Sequence, residues 1–252
     1  MPTTVRVKIR RQDRPDAPSR HESFEVPYER GMNVTTLLQR IAASPVTADG
    51  RPTTPVAYDA CCLEEVCGSC TMLINGQVRQ ACSALVDDLL ADRPQGITLE
   101  PMSKFPTIRD LFVDRSRMFR ALQRMHAWVE VDDYGDRRTS APIPPEQQEE
   151  AYPFSRCMTC GCCVEVCPQF NDKSDFVGPQ AVGQAMLFNS HPVGRMTATR
   201  RLTALMEPGG IADCGNAQNC VKVCPKNIPL LDALARAGRA TTAHAVKSWL
   251  GK

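Results

Sequence analysis

The first hundred residues contain short runs in which apolar and polar positions alternate. Residues 4–10 and 23–28 have an apolar side chain at nearly every second position, which predicts a pair of strands. The next apolar positions follow a helical period. They begin directly after Asn33, a residue type suited to capping a helix, and are Val34, Leu37, Leu38 and Ile41.

Two further apolar runs, 71–74 and 78–81, flank the dipeptide Asn75-Gly76. This dipeptide favours a type I′ hairpin, because both central residues of that turn have a positive φ. Residues 97–102 predict a last strand. A few strands with one helix across them predict a small β-grasp-like domain over residues 1–107.

After Pro106 the apolar spacing changes to a helical one, with a break near Asp114; the residues are Ile108, Leu111, Phe112, Met118, Phe119, Leu122 and Met125. Residues 132–145 are polar and contain prolines, which predicts a surface loop. Further helices are predicted over 181–188, 200–206 and 230–250. We therefore expect an α+β chain whose second domain, residues 108–252, is all-α.

Composition and charge exclude several classes of protein. The chain is 42% apolar and 23% charged, which is typical of a globular protein. A net charge of +2 is too small for the electrostatic field of a nucleic-acid-binding protein, so no nucleic acid is expected. No apolar run has the length of a membrane span, and residues 1–12 lack the apolar centre of a signal peptide. We therefore expect a cytosolic location.

The thirteen cysteines are the most informative feature of the sequence. They lie in three bursts, five in residues 61–82, five in 157–167 and three in 214–224. A cytosolic chain keeps its thiols reduced, and thirteen is an odd number, so a disulfide framework does not account for them. Closely spaced thiolates in such a chain indicate metal binding.

The first burst contains the spacing C-x4-C-x2-C followed by a distant fourth cysteine, which is the plant-type pattern for a [2Fe–2S] cluster. The predicted ligands are Cys62, Cys67, Cys70 and Cys82. Gly68 and Ser69 are small enough to let backbone N–H groups approach the sulfurs. A structural zinc site is the alternative, although zinc sites usually use tighter C-x2-C pairs on both sides.

The second burst has the bacterial-ferredoxin spacing C-x2-C-x2-C-x3-C-P, and the third repeats it with Ala217 in place of the second cysteine. In such runs the fourth cysteine serves the other cluster. The predicted [4Fe–4S] ligands are therefore Cys157, Cys160, Cys163 and Cys224.

Only three cysteines remain for the other cluster, namely Cys167, Cys214 and Cys220. A corner without a thiolate loses its iron readily, which favours [3Fe–4S]. A [4Fe–4S] cluster with water or another ligand at its fourth iron remains the alternative.

Cys61 and Cys162 are left over, and we expect both to be small buried core residues. The sequence contains neither G-x-G-x-x-G after a strand nor G-K-[ST], so no flavin, NAD or ATP site is expected. A basic run is interpreted as a solvated or partner-facing surface; it consists of Arg109, Arg115, Arg117, Arg120 and Arg124.

A plant-type [2Fe–2S] ferredoxin domain followed by a bacterial-ferredoxin-like domain resembles the iron–sulfur subunit of succinate dehydrogenase and fumarate reductase. The resemblance spans essentially the whole chain and includes residues 106–114 (PTIRDLFVD) and 176–179 (FVGP). Residues 62–68, 157–161, 188–192 and 212–220 are most similar to the menaquinone-linked, Gram-positive type.

The resemblance implies that single electrons pass from an FAD-containing flavoprotein subunit, which holds the dicarboxylate site, through the three clusters to a quinone. The quinone is expected at a cytochrome b-type membrane-anchor subunit, which would hold this chain peripherally on the cytoplasmic side of the cell membrane. The resemblance also implies succinate dehydrogenase activity in the complex. The alternatives are a quinol:fumarate reductase and a soluble electron-carrier ferredoxin.

Ubiquinone-linked relatives have a tryptophan pair after the second run and a histidine within the third. Asn171, Asp172 and Gly215 stand at those positions here. The resemblance therefore implies menaquinone, held mainly by the anchor subunit. Pro168, Phe170 and Ala217 would at most line the path to it, and packing around the cluster is their simpler role.

Overall fold

The computed structural model describes residues 3–130 and 142–251. The chain divides into two compact units. The first comprises Met1–Arg115 with Met158–Cys162, and the second comprises Ser116–Cys157 with Cys163–Lys252. The boundary after Arg115 lies eight residues beyond the predicted one at residue 107, and the middle of the second cysteine burst belongs to the first unit.

A five-stranded sheet forms the frame of the first unit, in the order β2-β1-β5-β3-β4. The strands are β1 (Thr4–Arg11), β2 (Arg20–Pro27), β3 (Thr71–Ile74), β4 (Gln77–Gln80) and β5 (Ile97–Glu100). β1 is antiparallel to β2 and parallel to β5, and β5 is antiparallel to β3. All the predicted strands of this region are confirmed to within a few residues.

Helix α1 (Val34–Ala43) packs its apolar face on the core of this unit. Its buried residues include all four predicted positions, which share a cluster with Val5, Val7 and Ile9 of β1. The Asn33 side chain accepts a hydrogen bond from the Thr36 N–H at 2.9 Å, so the predicted cap is confirmed. Such a cap stabilises a helix by about 1 kcal/mol. A second helix, α2 (Val86–Asp92), follows the hairpin.

The β3–β4 hairpin brings Cys82 back beside Cys70. Its turn has φ values of 53° at Asn75 and 79° at Gly76, as a type I′ turn requires. Past the strands, the Ala81 N–H donates to the Cys70 carbonyl at 3.0 Å. The predicted turn is confirmed, and it determines which cysteines lie together.

The residues after Pro106 do not form the predicted helical turn. They form a two-stranded ribbon, β6 (Thr107–Arg109) and β7 (Phe112–Val113). Asp110 lies between the strands with a φ of 49°, which an α-helix does not allow. Its fully buried carboxylate accepts hydrogen bonds from Arg11 Nε at 2.9 Å and from the Ala57 N–H at 2.9 Å. This tertiary pairing overrides the helical spacing, so the prediction is wrong here.

Helices dominate the described part of the second unit. They are α3 (Ser116–Arg124), α4 (Pro145–Ser155), α5 (Cys162–Glu165), α6 (Pro179–Ser190), α7 (Ala198–Met206), α8 (Asn219–Lys222) and α9 (Leu230–Trp249), and α5 begins where the chain leaves the first unit. The predicted helices over 181–188, 200–206 and 230–250 are confirmed as α6, α7 and α9. The predicted loop over 132–145 lies largely outside the described residues, and α4 begins at its last residue.

Small side chains let the helices of this unit pack closely. Ala181 and Ala185 of α6 and Ala237 of α9 are fully buried in one apolar cluster. On α7, the buried Arg201 donates to the Gly194 carbonyl at 2.6 Å. Across residues 3–130 and 142–251, no helix has both the length and the apolar character that a bilayer span needs.

Candidate metal centres

The loop before Cys70 has an unusual backbone. Leu63, Glu65 and Gly68 have φ values of 61°, 54° and 71°. Left-handed residues reverse the chain repeatedly, so successive N–H groups point to the inside of the loop. The side chains of Leu63 and Val66 lie exposed on the outside.

The inward N–H groups converge on cysteine sulfurs. Cys62 Sγ accepts three of them, at 3.4, 3.2 and 3.3 Å, from Glu64, Val66 and Cys67. Such hydrogen bonds stabilise a thiolate and, on a cluster, the extra negative charge of the reduced state. The predicted N–H approach to the sulfurs is therefore present.

The other sulfurs are connected to the same loop. Cys67 Sγ accepts from the N–H groups of Cys62 at 3.5 Å and Ser69 at 3.4 Å. Cys82 Sγ accepts from the Glu65 N–H at 3.3 Å. The β3–β4 hairpin also places Cys70 beside Cys82. The structure thus brings all four predicted [2Fe–2S] ligands together.

Two of these thiols differ strongly in acidity. Burial raises the pKa of Cys67, but hydrogen bonds from the Ser69 side chain and from backbone N–H groups outweigh it and lower that pKa to about 6. Burial raises the pKa of Cys70 to about 12. Cluster ligation requires thiolates, so holding a cluster through Cys70 would be coupled to loss of its proton.

Arg115 supports this loop from within the first unit. Its guanidinium donates to the Gly68 carbonyl at 2.8 Å and to Asp59 Oδ2 at 3.2 Å. In the second unit, Arg117 donates to the Asn171 carbonyl at 2.9 Å. The expectation that the whole basic run faces solvent or a partner is therefore wrong for these two residues. Their backbone acceptors lie far away in sequence, so spacing alone did not indicate the pairing.

The four predicted [4Fe–4S] ligands are distributed over both units. Cys160 belongs to the first unit and is buried. The other three belong to the second, where Cys163 is buried and Cys157 and Cys224 are half-buried. Cys224 Sγ accepts from the Ile228 N–H at 3.4 Å.

The three remaining predicted ligands line one cavity of the second unit. Cys167, Cys214 and Cys220 all contribute to its wall. Ala217 and Pro168 form part of the same wall. Burial raises the pKa of Cys220, and the negative charges of Cys167 and Cys214 act in the same direction.

A glycine shapes another part of this wall. A Cβ added at Gly215 would lie 2.6 Å from Gln169 Nε2, so the Gln169 amide lies where a side chain at position 215 would begin. Gln169 also lines the cavity. A glutamine after Cys-Pro gives no signal of its own, so the sequence does not indicate this contact.

Phe170 is not among the residues that line this cavity. Its ring is fully buried, and the Arg117 guanidinium lies over it at 4.0 Å from the ring centre. This cation–π contact favours the packing role that was the simpler expectation for Phe170.

The two leftover cysteines differ. Cys162 is fully buried, as expected. Cys61 is exposed, so the expectation that it lies in the core is wrong. It lies directly before Cys62, at the start of the loop.

The thiol arrangement suits clusters. Among the residues that the structure describes, no three His, Cys, Asp or Glu side chains converge on a point that could hold a single metal ion. What the chain offers is the inward N–H groups around Cys62, Cys67 and Cys82, and a cavity with three sulfurs on its wall. Both features fit bulky, electron-rich iron–sulfur clusters.

Comparisons with known proteins agree with this fit. A profile of the family described as "2Fe-2S iron-sulfur cluster binding domain" matches residues 6–120, and one described as "4Fe-4S dicluster domain" matches residues 153–228. The succinate dehydrogenase iron–sulfur subunit of Bacillus subtilis is 48% identical over 248 residues, which cover 98% of this chain and 96% of the relative. The fumarate reductase iron–sulfur subunit of Wolinella succinogenes is 32% identical over 71% of this chain and 74% of its own length.

A solved structure has the same fold. A chain of the Mycobacterium smegmatis Sdh1 complex in the apo form superposes with a TM-score of 0.72, over 96% of this chain and 97% of its own. The sequence identity is 22%, so this likeness concerns the fold alone. The order of a β-grasp domain followed by a helical one agrees with the predicted fold class.

Proposed function

Because this chain belongs to the family of succinate dehydrogenase and fumarate reductase iron–sulfur subunits, we propose that it relays single electrons from a flavoprotein subunit to a quinone. The relative with 48% identity is a succinate dehydrogenase subunit, which favours succinate oxidation as the working direction. The succinate site belongs to the flavoprotein. Fumarate reduction uses the same path and differs only in direction.

The first unit holds a [2Fe–2S] cluster through Cys62, Cys67, Cys70 and Cys82. When bound, the clusters supply one-electron redox chemistry at fixed positions. The protein contributes the four thiolates and the N–H groups that stabilise the negative charge, while Arg115 fixes the loop by bonding to the Gly68 carbonyl at 2.8 Å. The neighbourhood of the exposed Leu63 and Val66 side chains is suited to contact with the flavoprotein partner.

Two further clusters complete the path. A [4Fe–4S] cluster is assigned to Cys157, Cys160, Cys163 and Cys224, and a [3Fe–4S] cluster to Cys167, Cys214 and Cys220. The cavity in the second unit is the observation that supports this assignment best. Three sulfurs line it, and Ala217 stands on its wall where the ferredoxin spacing places a fourth ligand.

The acceptor is a quinone at a membrane-anchor subunit, which would hold this chain peripherally at the cytoplasmic side of the membrane. Gly215, Asn171 and Asp172 provide neither an imidazole nor an aromatic ring to bind a quinone. We therefore assign most of the binding to the anchor and favour menaquinone. Pro168 and Ala217 line the [3Fe–4S] cavity and would at most line the path to the quinone.

The experiment is EPR spectroscopy of membranes from cells that produce the chain with its partner subunits. In the oxidised state we expect a [3Fe–4S] signal, and after reduction by succinate a [2Fe–2S] signal. Assays of iron and acid-labile sulfide on the purified complex accompany the spectra. Zinc in place of iron, or recovery of the chain as a small free protein in the soluble fraction, would contradict the proposal.

A further inference from the structure

The last turn of helix α9 exposes three large apolar side chains. Val246, Trp249 and Leu250 are 51%, 85% and 55% exposed. The Leu250 N–H donates to the Val246 carbonyl at 3.0 Å, so the helical geometry continues through Leu250. Positions three and four apart in a helix lie on the same face. The three side chains therefore form one apolar patch, named here the α9 tip.

The α9 tip lies on the face of the helix that looks away from its own unit. Ala233, Ala237 and Thr241 are buried and form the stripe that packs against the second unit. At about 3.6 residues per turn, the α9 tip lies roughly on the opposite side of the helix axis from this stripe. Such an outward face is polar in most surface helices. A tryptophan and two aliphatic side chains there indicate a surface that another body covers.

The charges around the α9 tip have one sign. Residues 233–252 contain four basic side chains and no acidic one. Arg239 lies seven positions before Val246, on the same side of the helix, and Lys247 directly follows Val246; both are exposed. An anionic surface complements this charge. Tryptophan beside lysine and arginine is typical of segments that lie between water and the headgroups of anionic lipids.

The size of the α9 tip favours lipid over a protein subunit. A stable protein interface buries about 800 Å² of each partner. A buried aromatic side chain supplies about 150–250 Å², so one helical turn with three large side chains falls short of that area. An interfacial contact with a bilayer needs only a few apolar side chains assisted by basic ones.

The direction of α9 also fits a membrane contact. The helix begins just after Ile228, whose N–H donates to Cys224 Sγ at 3.4 Å. Leu234, about one turn into the helix, lines the cavity of Cys167, Cys214 and Cys220. Trp249 is fifteen residues further along, which is about 22 Å of helix. Helix α9 thus follows the order of the proposed electron path, from a [4Fe–4S] ligand past the [3Fe–4S] cavity.

We propose that the α9 tip inserts into the headgroup region of an anionic lipid bilayer, with Trp249 as its main apolar anchor and with Arg239 and Lys247 on the headgroups. The inference rests on the proposed function, because the peripheral position at a membrane comes from there. It adds a direct lipid contact of this chain to the hold of the anchor subunit.

The test uses the full chain with its clusters and vesicles of phosphatidylcholine, prepared with and without phosphatidylglycerol. Flotation of the vesicles measures binding for the unmodified chain, Trp249→Ser and Lys247→Gln. The matched control is Tyr152→Ser, which removes an aromatic side chain that is 58% exposed on α4 of the same unit. The chain has two tryptophans, so Trp128→Phe leaves Trp249 as the only one, and quenching by brominated lipids then reports its depth.

We expect the unmodified chain to bind vesicles that contain phosphatidylglycerol more tightly than vesicles that lack it. Trp249→Ser should weaken this binding by about tenfold, because one large side chain no longer leaves water. Lys247→Gln should weaken it by about fivefold at low salt and by less at high salt. Tyr152→Ser should bind as the unmodified chain does, and brominated lipids should quench Trp249.

Three results would overturn the inference. The first is that the unmodified chain does not bind the vesicles, or that Trp249→Ser binds them equally well. The second is an unquenched Trp249 in the bound chain. The third is a dimer in gel filtration that Trp249→Ser dissociates, because the α9 tip would then bind a second copy of this chain.

A second measurement places the contact in the assembled complex. With the complex in vesicles that contain brominated phosphatidylglycerol, Trp249→Phe should reduce the quenched part of the tryptophan emission. An unchanged quenched part would mean that a partner subunit covers the α9 tip, which also overturns the inference. Absence of the cluster signals from the complex would instead contradict the proposed function, so the two failures are distinguishable.

Discussion

The loop around Cys62 and the cavity around Cys220 accommodate thiols by different means. In the loop, backbone N–H groups point at the sulfurs at 3.2–3.5 Å. In the cavity, the surrounding side chains enclose the sulfurs, and burial raises the pKa of Cys220. The first arrangement depends on backbone conformation and the second on which side chains form the wall.

This difference determines which substitutions matter in each region. Around Cys62, most side chains point outward, so a change of side chain there leaves the N–H donors in place. The exceptions are Gly68, which sets the path of the backbone, and Ser69, whose side chain hydrogen-bonds to Cys67. Around Cys220, single side chains such as Ala217 and Gln169 determine what fits in the cavity. Substitutions in the two regions test this contrast.

Ala217→Cys is expected to have the largest effect, because it would add a fourth thiolate to the cavity that we propose holds the [3Fe–4S] cluster. A fourth thiolate should retain a fourth iron, so the oxidised [3Fe–4S] EPR signal disappears and the complex gains one iron per chain. The matched control is Ala217→Ser, whose hydroxyl is a much poorer iron ligand and should preserve the signal. An undiminished [3Fe–4S] signal in Ala217→Cys would show that position 217 does not face the cluster.

Asp110→Asn is expected to destabilise the first unit alone. Asp110 and Arg11 are both fully buried, and removing one partner of a buried pair costs about 3–5 kcal/mol. Glu22 remains 2.6 Å from Arg11, so we expect about 3 kcal/mol. The [2Fe–2S] signal should therefore be lost at a temperature roughly 10 °C lower than in the unmodified protein.

The control for this change is Asp13→Asn, which removes only an exposed ion pair with Arg20 and should have little effect. The [3Fe–4S] signal of the second unit should persist to its usual temperature in Asp110→Asn. Simultaneous loss of both signals would show that the two sites do not depend on separate units.

Most elements were predictable because their patterns are local, and the assignment of the cluster ligands rests on patterns of the same kind. Cysteine spacing, the Asn75-Gly76 turn and the Asn33 cap each need only a few consecutive residues. The ribbon at Asp110 was not predictable, since its carboxylate pairs with Arg11, about a hundred positions earlier. Gln80 gave one signal that was not used: it is a polar residue at a position where strand alternation predicts burial, which indicates a hidden partner.

Gly68→Ala tests the role of the backbone in the loop. A Cβ there would lie 2.6 Å from the Cα and Cβ of Cys160, in the same unit, and Gly68 has a φ of 71°. Gly50→Ala is the matched control, with a φ of 80° and no atom within 4 Å. Both variants incur the cost of a left-handed alanine, about 1 kcal/mol, and Gly68→Ala adds about 1–3 kcal/mol of overlap.

The measurement for this pair is the thermal unfolding midpoint together with the [2Fe–2S] content. Gly68→Ala should lose cluster and unfold at a lower temperature than Gly50→Ala. Equal midpoints would mean that the overlap is relieved without cost, and that the close approach of Gly68 does not hold the loop.

Gly215→Ala is expected to have the smallest effect, although its Cβ would also approach a neighbour at 2.6 Å. That neighbour is the flexible end of Gln169, which can rotate away, whereas Gly68 faces backbone. Replacing glycine by alanine stabilises a chain by about 0.4–1 kcal/mol through the unfolded state. Displacing Gln169 should cancel that gain. In a Gln169→Ala background the gain should reappear, which a double-mutant cycle measures as a coupling of about 0.5 kcal/mol.

Gly238→Ala is the control, because no atom lies within 4 Å of a Cβ added there. It shows the stabilisation that arises from the unfolded state alone. If Gly215→Ala and Gln169→Ala were additive, the Gln169 amide would not occupy the space at position 215. A coupling between Gly215→Ala and Gln169→Ala would instead show that the Gln169 side chain occupies the space at position 215. This result is expected of a cavity whose shape is set by its side chains.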